Sequence, residues 1–194
     1  LLIVALSMFI GCTIGLISGY AGGIADEVIM RIVDVFLAFP GIVLSIAVAG
    51  MLGPGLKNGI LALAATSWTQ YARLIRSYVL SVRQENFVKA AILNGQTDFS
   101  ILMRHVFPNV MRPVIVTGTL HLSSAMLSIS GLSFLGLSSS TAEWGSMLSE
   151  GRSLMQQCPW VVLYPAIAIF AVTVIFNLLG DSVRDALDPN DKKL

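Results

Sequence analysis

Two side chains in one apolar segment, His121 and Ser133, are of the types that form a catalytic base and its nucleophile. Such a pair works only when the two groups lie within hydrogen-bond distance of each other. The two residues are twelve positions apart in one predicted helix, which separates them by about 18 Å along its axis. This spacing excludes an intramembrane serine protease.

Other catalytic patterns are missing from the sequence. There is no G-x-x-x-x-G-K-[ST] phosphate loop, so the chain is not predicted to hydrolyse nucleotides. The apolar segments contain no carboxylate, which a proton or sodium relay of the secondary-transporter kind usually needs. Cys12 and Cys158 lie in or beside apolar segments, where cysteine behaves as a small hydrophobe. We therefore predict a chain without enzymatic activity, resident metal or cofactor.

Composition points to a membrane protein. Of 194 residues, 55% are hydrophobic and only 12% are charged, against about 25% charged residues in soluble domains. The net charge of +1 gives no case for binding nucleic acid. The first residues, Leu1 and Leu2, belong to an apolar run with no charged segment before it, so this run does not have the form of a signal peptide.

Five uncharged or weakly charged segments are long enough to cross a bilayer core of about 30 Å. They cover residues 1–20, 35–52, 58–79, 113–137 and 161–179 in a single transmembrane domain, 1–194. Pro40 interrupts the second segment and predicts a kink, and His121 is the one titratable group of the fourth. We note both as candidates for a pathway, although kinks and isolated histidines also serve structure alone.

Small residues recur at every fourth position of the first segment. They are Ser7, Gly11, Gly15 and Gly19. In lipid, such a seam lets two helix backbones approach closely. We predict a tight helix contact there, within the chain or with a partner.

The positions of the lysine and arginine residues predict the orientation of the chain in the membrane. Half of the twelve lie between residues 73 and 112: Arg73, Arg76, Arg83, Lys89, Arg104 and Arg112. Because cytoplasmic loops carry the excess of Lys and Arg, this region is predicted to be cytoplasmic, with the C-terminus on the same side. We expect the first three arginines to snorkel towards lipid phosphates, and Arg31 to pair with Glu27 and Asp34 on its own helix.

The segment Asn86 to Pro108 is the one long polar interruption between apolar blocks. It predicts two short amphipathic helices joined at Gly95, with Thr97 or Asp98 capping the second and Pro108 ending it. Phe87, Ala90, Ala91 and Asn94 would share one face of the first helix. Such a face suits insertion into a cleft of another protein, and contact with lipid headgroups is the alternative.

The order of several motifs resembles one family along the whole chain. The pattern Ala90-Ala91, Gly95, His105 and Pro108 is similar to the coupling loop of ABC-importer permeases, in particular the dipeptide, oligopeptide and nickel branch. The other motifs are Gly19-Tyr20-Ala21-Gly22-Gly23, Met30-Arg31-x-x-Asp34, Ala38-Phe39-Pro40, Leu132-Ser133-Phe134-Leu135-Gly136-Leu137, Glu143-Trp144-Gly145 and Leu179-Gly180-Asp181-x-x-Arg184-Asp185-x-Leu187-Asp188-Pro189. Lys89 departs from the wider superfamily, in which an acidic residue often precedes the alanines.

This resemblance implies an all-α membrane protein: a six-helix permease of which five helices are seen here and the first lies before Leu1. It also implies a second homologous permease subunit, two ATPase subunits carrying ATP and Mg, and an extracytoplasmic substrate-binding protein, in a bacterial or archaeal cytoplasmic membrane. The implied ATPase-contacting residues are Phe87, Lys89, Ala90, Ala91, Asn94, Gly95, Asp98, His105 and Pro108. The implied residues facing the binding protein are Glu143, Trp144 and Gly145.

The expected cargo is a small peptide or a nickel chelate. Residues 138–145 lack the Pro-rich approach to Glu-Trp-Gly common in peptide permeases, and no acid precedes Gly131-Leu132-Ser133. Both features favour the nickel type slightly. The alternative function is a self-contained channel or secondary carrier, which would need no ATPase at residues 86–108.

Overall fold

The computed structural model describes residues 1–137 and 142–187, and the ordered elements in this part of the chain are all helical. The helices are α1 (Leu2–Ala21), α2 (Gly23–Leu37), α3 (Gly41–Leu52), α4 (Leu56–Arg83), α5 (Asn86–Leu93), α6 (Asp98–Ile101), α7 (Phe107–Phe134), α8 (Trp144–Gly151) and α9 (Trp160–Leu187). A π-helical turn, Leu102–Val106, joins α6 to α7, and a short 3-10 turn, Arg152–Leu154, follows α8. The predicted all-α membrane class is confirmed.

Helices α1 and α4 form the most extensive helix pair of the described structure. The predicted small-residue seam of α1 lies against α4: Gly15 faces Ala72 and Gly19 faces Val79. A Cβ atom added at Gly15 would lie 2.5 Å from the carbonyl oxygen of Ala72. The seam is therefore a contact within the chain, and glycine is needed because the facing group is backbone that no side-chain rotation can move.

The second predicted span is not a continuous helix. Residues 35–37 form the end of α2, and residues 38–40 are not helical. Helix α3 starts at Gly41 and lies at 87° to α2. Proline at position 40 has no backbone N–H to continue the helix, which agrees with the predicted interruption but gives a right-angled turn in place of a kink. With 12 residues, α3 is only about 18 Å long, which is too short to cross a bilayer core of about 30 Å by itself.

Length and apolar composition identify fewer spans than the five predicted. In the described part of the chain three helical stretches qualify, namely Leu2–Ala21, Asp98–Phe134 and Trp160–Leu187, and there are four if the bent α2–α3 pair counts as one span. Helix α4 has 28 residues, which is long enough, but its C-terminal part carries Arg73, Arg76 and Arg83. Those arginines lower its hydropathy while other helices of the bundle cover its apolar face.

The sequence predicted that Pro108 ends the second loop helix, but the helix continues past it. The helical path runs on from Asp98 to Phe134, and Pro108 lies in the first turn of α7. The π-helical turn before it shifts the hydrogen-bond register, since the N–H of Phe107 donates to the carbonyl of Leu102 five residues earlier. Proline lacks the N–H that a continuous helix would use there, and a local π-helical adjustment accommodates that loss.

The α1–α4 contact predicts a large difference between two glycine-to-alanine substitutions. Gly15→Ala should destabilise the protein by about 1–3 kcal/mol, by analogy with overpacking of a core. The matched control is Gly50→Ala in α3, where an added Cβ meets nothing within 4 Å. Thermal unfolding of the detergent-purified variants measures both, and equal unfolding temperatures would show that α1 and α4 can separate freely.

Candidate functional site: a helical loop and a polar cavity

The loop after α4 contains the predicted short helix α5, and the predicted second helix starts at Asp98 but runs on into α7. Gly95 follows α5 with a φ of 72°, in the left-handed region that glycine adopts without strain. The side chain of Thr97 accepts a hydrogen bond from the N–H of Ser100 and caps α6. Across the turn, His105 Nε2 lies 3.1 Å from Gln96 Oε1. These contacts hold the two helices at a defined angle to each other.

One of the two predicted contact alanines faces inwards. Ala91 is only 4% exposed and, with Val88, belongs to a buried cluster that also contains Ile101 and Val106. The predicted common face of Ala90 and Ala91 is therefore wrong. Adjacent residues of a helix point about 100° apart, so burial of the Val88–Ala91 side leaves Ala90 exposed.

The outer side of the loop exposes several apolar side chains among polar ones. We call it the loop face: Phe87, Ala90, Ile92, Leu93, Phe99 and Met103. Leu93 is 88% exposed and Phe99 is 73% exposed. Phe99 and Met103 are exposed, whereas Ile101 and Val106 of the same segment are buried. Clustered exposed apolar residues in a polar loop mark an interaction surface.

The remaining loop residues predicted to contact an ATPase lie around this face. Lys89, Asn94, Gly95, Asp98 and Pro108 are exposed, and His105 is partly buried. The ring of His105 lies 6.4 Å from the ring of Phe87. Their exposure agrees with a contact role but does not test it, so the assignment remains a prediction.

Hydrogen bonds tie the loop to the end of α1. The hydroxyl of Tyr20 donates to Asp98 Oδ1 at 2.9 Å, across 78 residues of sequence. Arg83 Nη1 donates to the carbonyl oxygen of Tyr20 at 2.8 Å, and its guanidinium lies over the Tyr20 ring, 5.0 Å from the centroid. A cation at the C-terminus of a helix donates hydrogen bonds to its last carbonyl groups and interacts favourably with the negative end of the helix dipole. Tyr20 is thus held between α4 and the loop.

The sequence suggested that the arginines of α4 reach towards lipid phosphates, but each of them binds a group within the chain. Arg76 forms a bidentate pair with Asp26, through Nε and Nη2 at 2.6 Å each. Ser18 Oγ donates to the same carboxylate. Arg73 pairs with Asp34, so Asp34 is not the partner of Arg31. The acids of α2 thus neutralise α4 from a neighbouring helix, which sequence spacing along one helix cannot reveal.

Between α1, α3, α4 and α7 lies a cavity of about 500 Å³, the central cavity. Its polar lining comes from residues without formal charge: Ser7, Ser45, Thr66, Ser67, Gln70, Tyr71, His121, Ser124 and Ser128. Ser45 and Thr66 hydroxyls join α3 to α4 at 2.7 Å. No Asp, Glu, Lys or Arg is among the described residues that line it. The cavity therefore offers hydrogen bonds and no ionic attraction.

One polar atom of the cavity wall has no partner. Tyr71 is 1% exposed, and its hydroxyl is the one buried side-chain polar atom that lacks a hydrogen bond among the described residues. Its ring packs edge-on against His121, with centroids 5.1 Å apart and planes at 72°. Burying a hydroxyl without a partner costs about 1–3 kcal/mol.

The two predicted pathway residues differ in position. His121 lines the central cavity, although this alone does not establish a pathway. Pro40 is exposed at the α2–α3 bend and does not line the cavity, whereas the next residue, Gly41, does. The bend therefore brings the first turn of α3 to the cavity wall.

Helix α8 carries the residues predicted to face a binding protein. Ser133 Oγ donates to Glu143 Oε1 at 2.7 Å, and Gly145 is buried so close to α7 that an added Cβ would lie 2.6 Å from the carbonyl oxygen of Ser130. Only Trp144 is substantially exposed. Glu143 and Gly145 thus hold α8 on α7. Residues 138–141 of the predicted loop lie outside the described part of the chain.

Sequence analysis missed most of the cavity wall. The signal was present: Gln70 lies one helical turn after Thr66 and Ser67 in α4, and Ser45 interrupts the apolar α3. This signal is weak, because serine and threonine in apolar helices commonly bond their own backbone. Thr66 does so, yet also faces Ser45.

Curated relatives match nearly the whole chain. The dipeptide transport system permease protein DppC of Alkalihalophilus pseudofirmus is 44% identical over 96% of the chain. The glutathione transport system permease protein GsiD is 43% identical over 97% of the chain in Pectobacterium atrosepticum, and 44% identical over 96% in an Escherichia coli strain. The chain spans 62%, 64% and 63% of the length of these relatives, respectively.

A solved structure shares the fold. A chain in the crystal structure of an amino acid ABC transporter with histidines superposes with a TM-score of 0.62, covering 99% of this chain and 89% of that one, at 18% identity. The family profile described as binding-protein-dependent transport system inner membrane component matches residues 11–192. Since that match covers most of the sequence, the chain belongs to the family of binding-protein-dependent transport system inner membrane components.

Proposed function

We propose that this chain is a permease subunit of an ATP-driven importer and passes a substrate across the cytoplasmic membrane. The observation that carries the proposal is the loop face, an apolar surface held rigidly to the helix bundle. Catalysis is not assigned to this chain, and ATP hydrolysis belongs to separate ATPase subunits. Family membership supports the same role.

We propose the loop face as the docking surface for an ATPase subunit. Its exposed side chains, led by Leu93 and Phe99, are apolar, and a short amphipathic helix that lays such residues into a groove is a common recognition mode. Behind the face, Val88 and Ala91 fix α5 to the core. Movement of a docked partner would therefore move the bundle and not merely the loop.

The orientation and partners follow from charge and family. The concentration of cations between residues 73 and 112 supports a cytoplasmic loop, with the C-terminus on the same side; residues 188–194 lie outside the described structure. We propose one second, homologous permease and two ATPase subunits as partners. An extracytoplasmic binding protein would meet the α8 side, where Trp144 is the exposed residue.

The proposed cargo is a small peptide. The relatives reported above are named for dipeptide and glutathione transport, and glutathione is itself a peptide. The central cavity supports this choice, because serine, threonine, glutamine and tyrosine side chains hydrogen-bond amides without selecting charge. Nickel transport stays a prediction that no comparison tests. We assign the cavity to the passage of the substrate, with Tyr71 and His121 on its wall.

The first prediction concerns docking. Leu93→Asp places a charge in the apolar contact, and because burying a leucine contributes about 1.5–3 kcal/mol, ATPase affinity should fall by at least tenfold. The conservative control is Leu93→Met, which keeps an apolar side chain. Copurification of the ATPase with each membrane-inserted variant measures the effect. Normal copurification with Leu93→Asp would place the loop on lipid headgroups and favour a self-contained channel or carrier.

The second prediction concerns coupling through Tyr20. Tyr20→Phe keeps the ring beneath Arg83 but loses the bond to Asp98, a charged hydrogen bond worth about 1.5–3 kcal/mol. We expect the ATPase to bind normally while less substrate is transported per ATP hydrolysed. Asp98→Asn retains an acceptor and should have the smaller effect. An unchanged ratio in Tyr20→Phe, measured in proteoliposomes, would show that α1 takes no part in coupling.

The third prediction separates a substrate contact from a structural role for Tyr71. Tyr71→Phe removes a buried hydroxyl without a partner, so the protein should be as stable as the wild type or more stable. If the hydroxyl contacts substrate, the KM of transport should nevertheless rise several-fold. Tyr164→Phe, at an exposed tyrosine of α9, is the matched control. Unchanged transport by Tyr71→Phe would remove Tyr71 from the passage.

A further inference from the structure

A second cleft lies where α4, α7 and α9 come together on the side of the bundle that leads into the loop. We call it the basic cleft; its volume is about 470 Å³. Its polar wall contains Arg112 and Arg184, with Tyr78 and Asn109 beside them. None of its polar residues belongs to the loop face or lines the central cavity.

Within the described structure, Arg112 and Arg184 lack the carboxylate partners that Arg73 and Arg76 have. Arg73 and Arg76 pair with carboxylates of α2, but neither Arg112 nor Arg184 forms an ion pair with any described residue. Asp181 and Asp185 lie near Arg184 in sequence, yet neither lines the cleft. Two guanidinium groups that share one cleft repel each other, so a bound anion would be stabilised there.

The cleft changes character along α7. Asn109 and Arg112 lie at its loop-side end, and Val116 and Leu120 continue the same stripe of the helix one and two turns further into the apolar span. From Arg112 to Leu120 the helix rises by about 12 Å. A charged end followed by an apolar wall matches a molecule with an anionic headgroup and a hydrocarbon chain. A free phosphate ion would use only the first part.

We propose that the basic cleft binds an anionic phospholipid, with its phosphate between Arg112 and Arg184 and an acyl chain against Val116 and Leu120. Arginine is suited to phosphate because its planar donors bind two oxygens at once, and basic pockets between transmembrane helices bind anionic headgroups. The site depends on the chain lying in a membrane and not on its role in import. Failure of transport would therefore leave this proposal untouched.

The test compares two lipids of identical acyl composition, phosphatidylglycerol and phosphatidylcholine, on the purified permease complex. Native mass spectrometry counts the retained lipids, and thermal unfolding reports stabilisation. The wild type should retain phosphatidylglycerol at least tenfold better. Arg112→Gln/Arg184→Gln should lose that preference, and the control Arg152→Gln, in the turn after α8, should keep it. Arg112→Lys/Arg184→Lys should keep most of it, which separates lost charge from misfolding.

Three results would overturn the proposal. Equal retention of the two lipids by the wild type would show that the cleft does not select charge. An unaltered preference in Arg112→Gln/Arg184→Gln would place the selective site elsewhere on the complex. Displacement of phosphatidylglycerol by millimolar inorganic phosphate, with equal thermal stabilisation, would mean that the cleft takes a free anion and makes no use of its apolar wall.

Discussion

The close approach of α1 to α4 is the contact on which the rest of the structure depends. Gly15 and Gly19 let the two backbones meet, with α4 carbonyl groups where side chains would otherwise stand. In a bilayer, water exclusion does not drive helices together, so association rests on such packing. Once α4 is fixed on α1, its far end presents arginines to α2 and its middle presents polar residues to α3 and α7. Both functional regions are thus consequences of one helix pair.

Charge is used at the end of that pair and avoided in its middle. Around the end of α1, the Asp26–Arg76 pair, the Arg83 cap and the Tyr20–Asp98 bond connect α1, α2, α4 and the loop. Ionic contacts between helices keep their relative positions, which a unit that transmits movement requires. The central cavity has hydroxyl and amide groups instead, and in the proposed passage these would let a substrate bind weakly and leave. The proposed import function needs both properties.

The loop shows how a sound local prediction can still give the wrong surface. Helical spacing correctly identified α5, the Gly95 turn and the start of the second helix, because capping and glycine geometry are local effects. The same spacing could not decide which of two apolar sides faces the bundle. Val88 and Ala91 face inwards and Leu93 and Phe99 outwards, since the buried side must fit against Ile101 and Val106. The proposed contact with an ATPase accordingly rests on larger side chains than the alanine pair.

The sequence by itself determined the membrane class, the approximate positions of most helices, the small-residue seam and the family resemblance. Each of these depends on composition or on spacing within one segment, which needs no knowledge of neighbouring helices. Tertiary structure decided the rest: the right-angled bend after α2, the passage of the helix through Pro108, the pairing of α4 arginines with α2 acids, and the convergence of Ser45, Thr66, Tyr71 and His121 on one cavity. These features join residues that are distant in sequence, and their partners are set by the packing of whole helices.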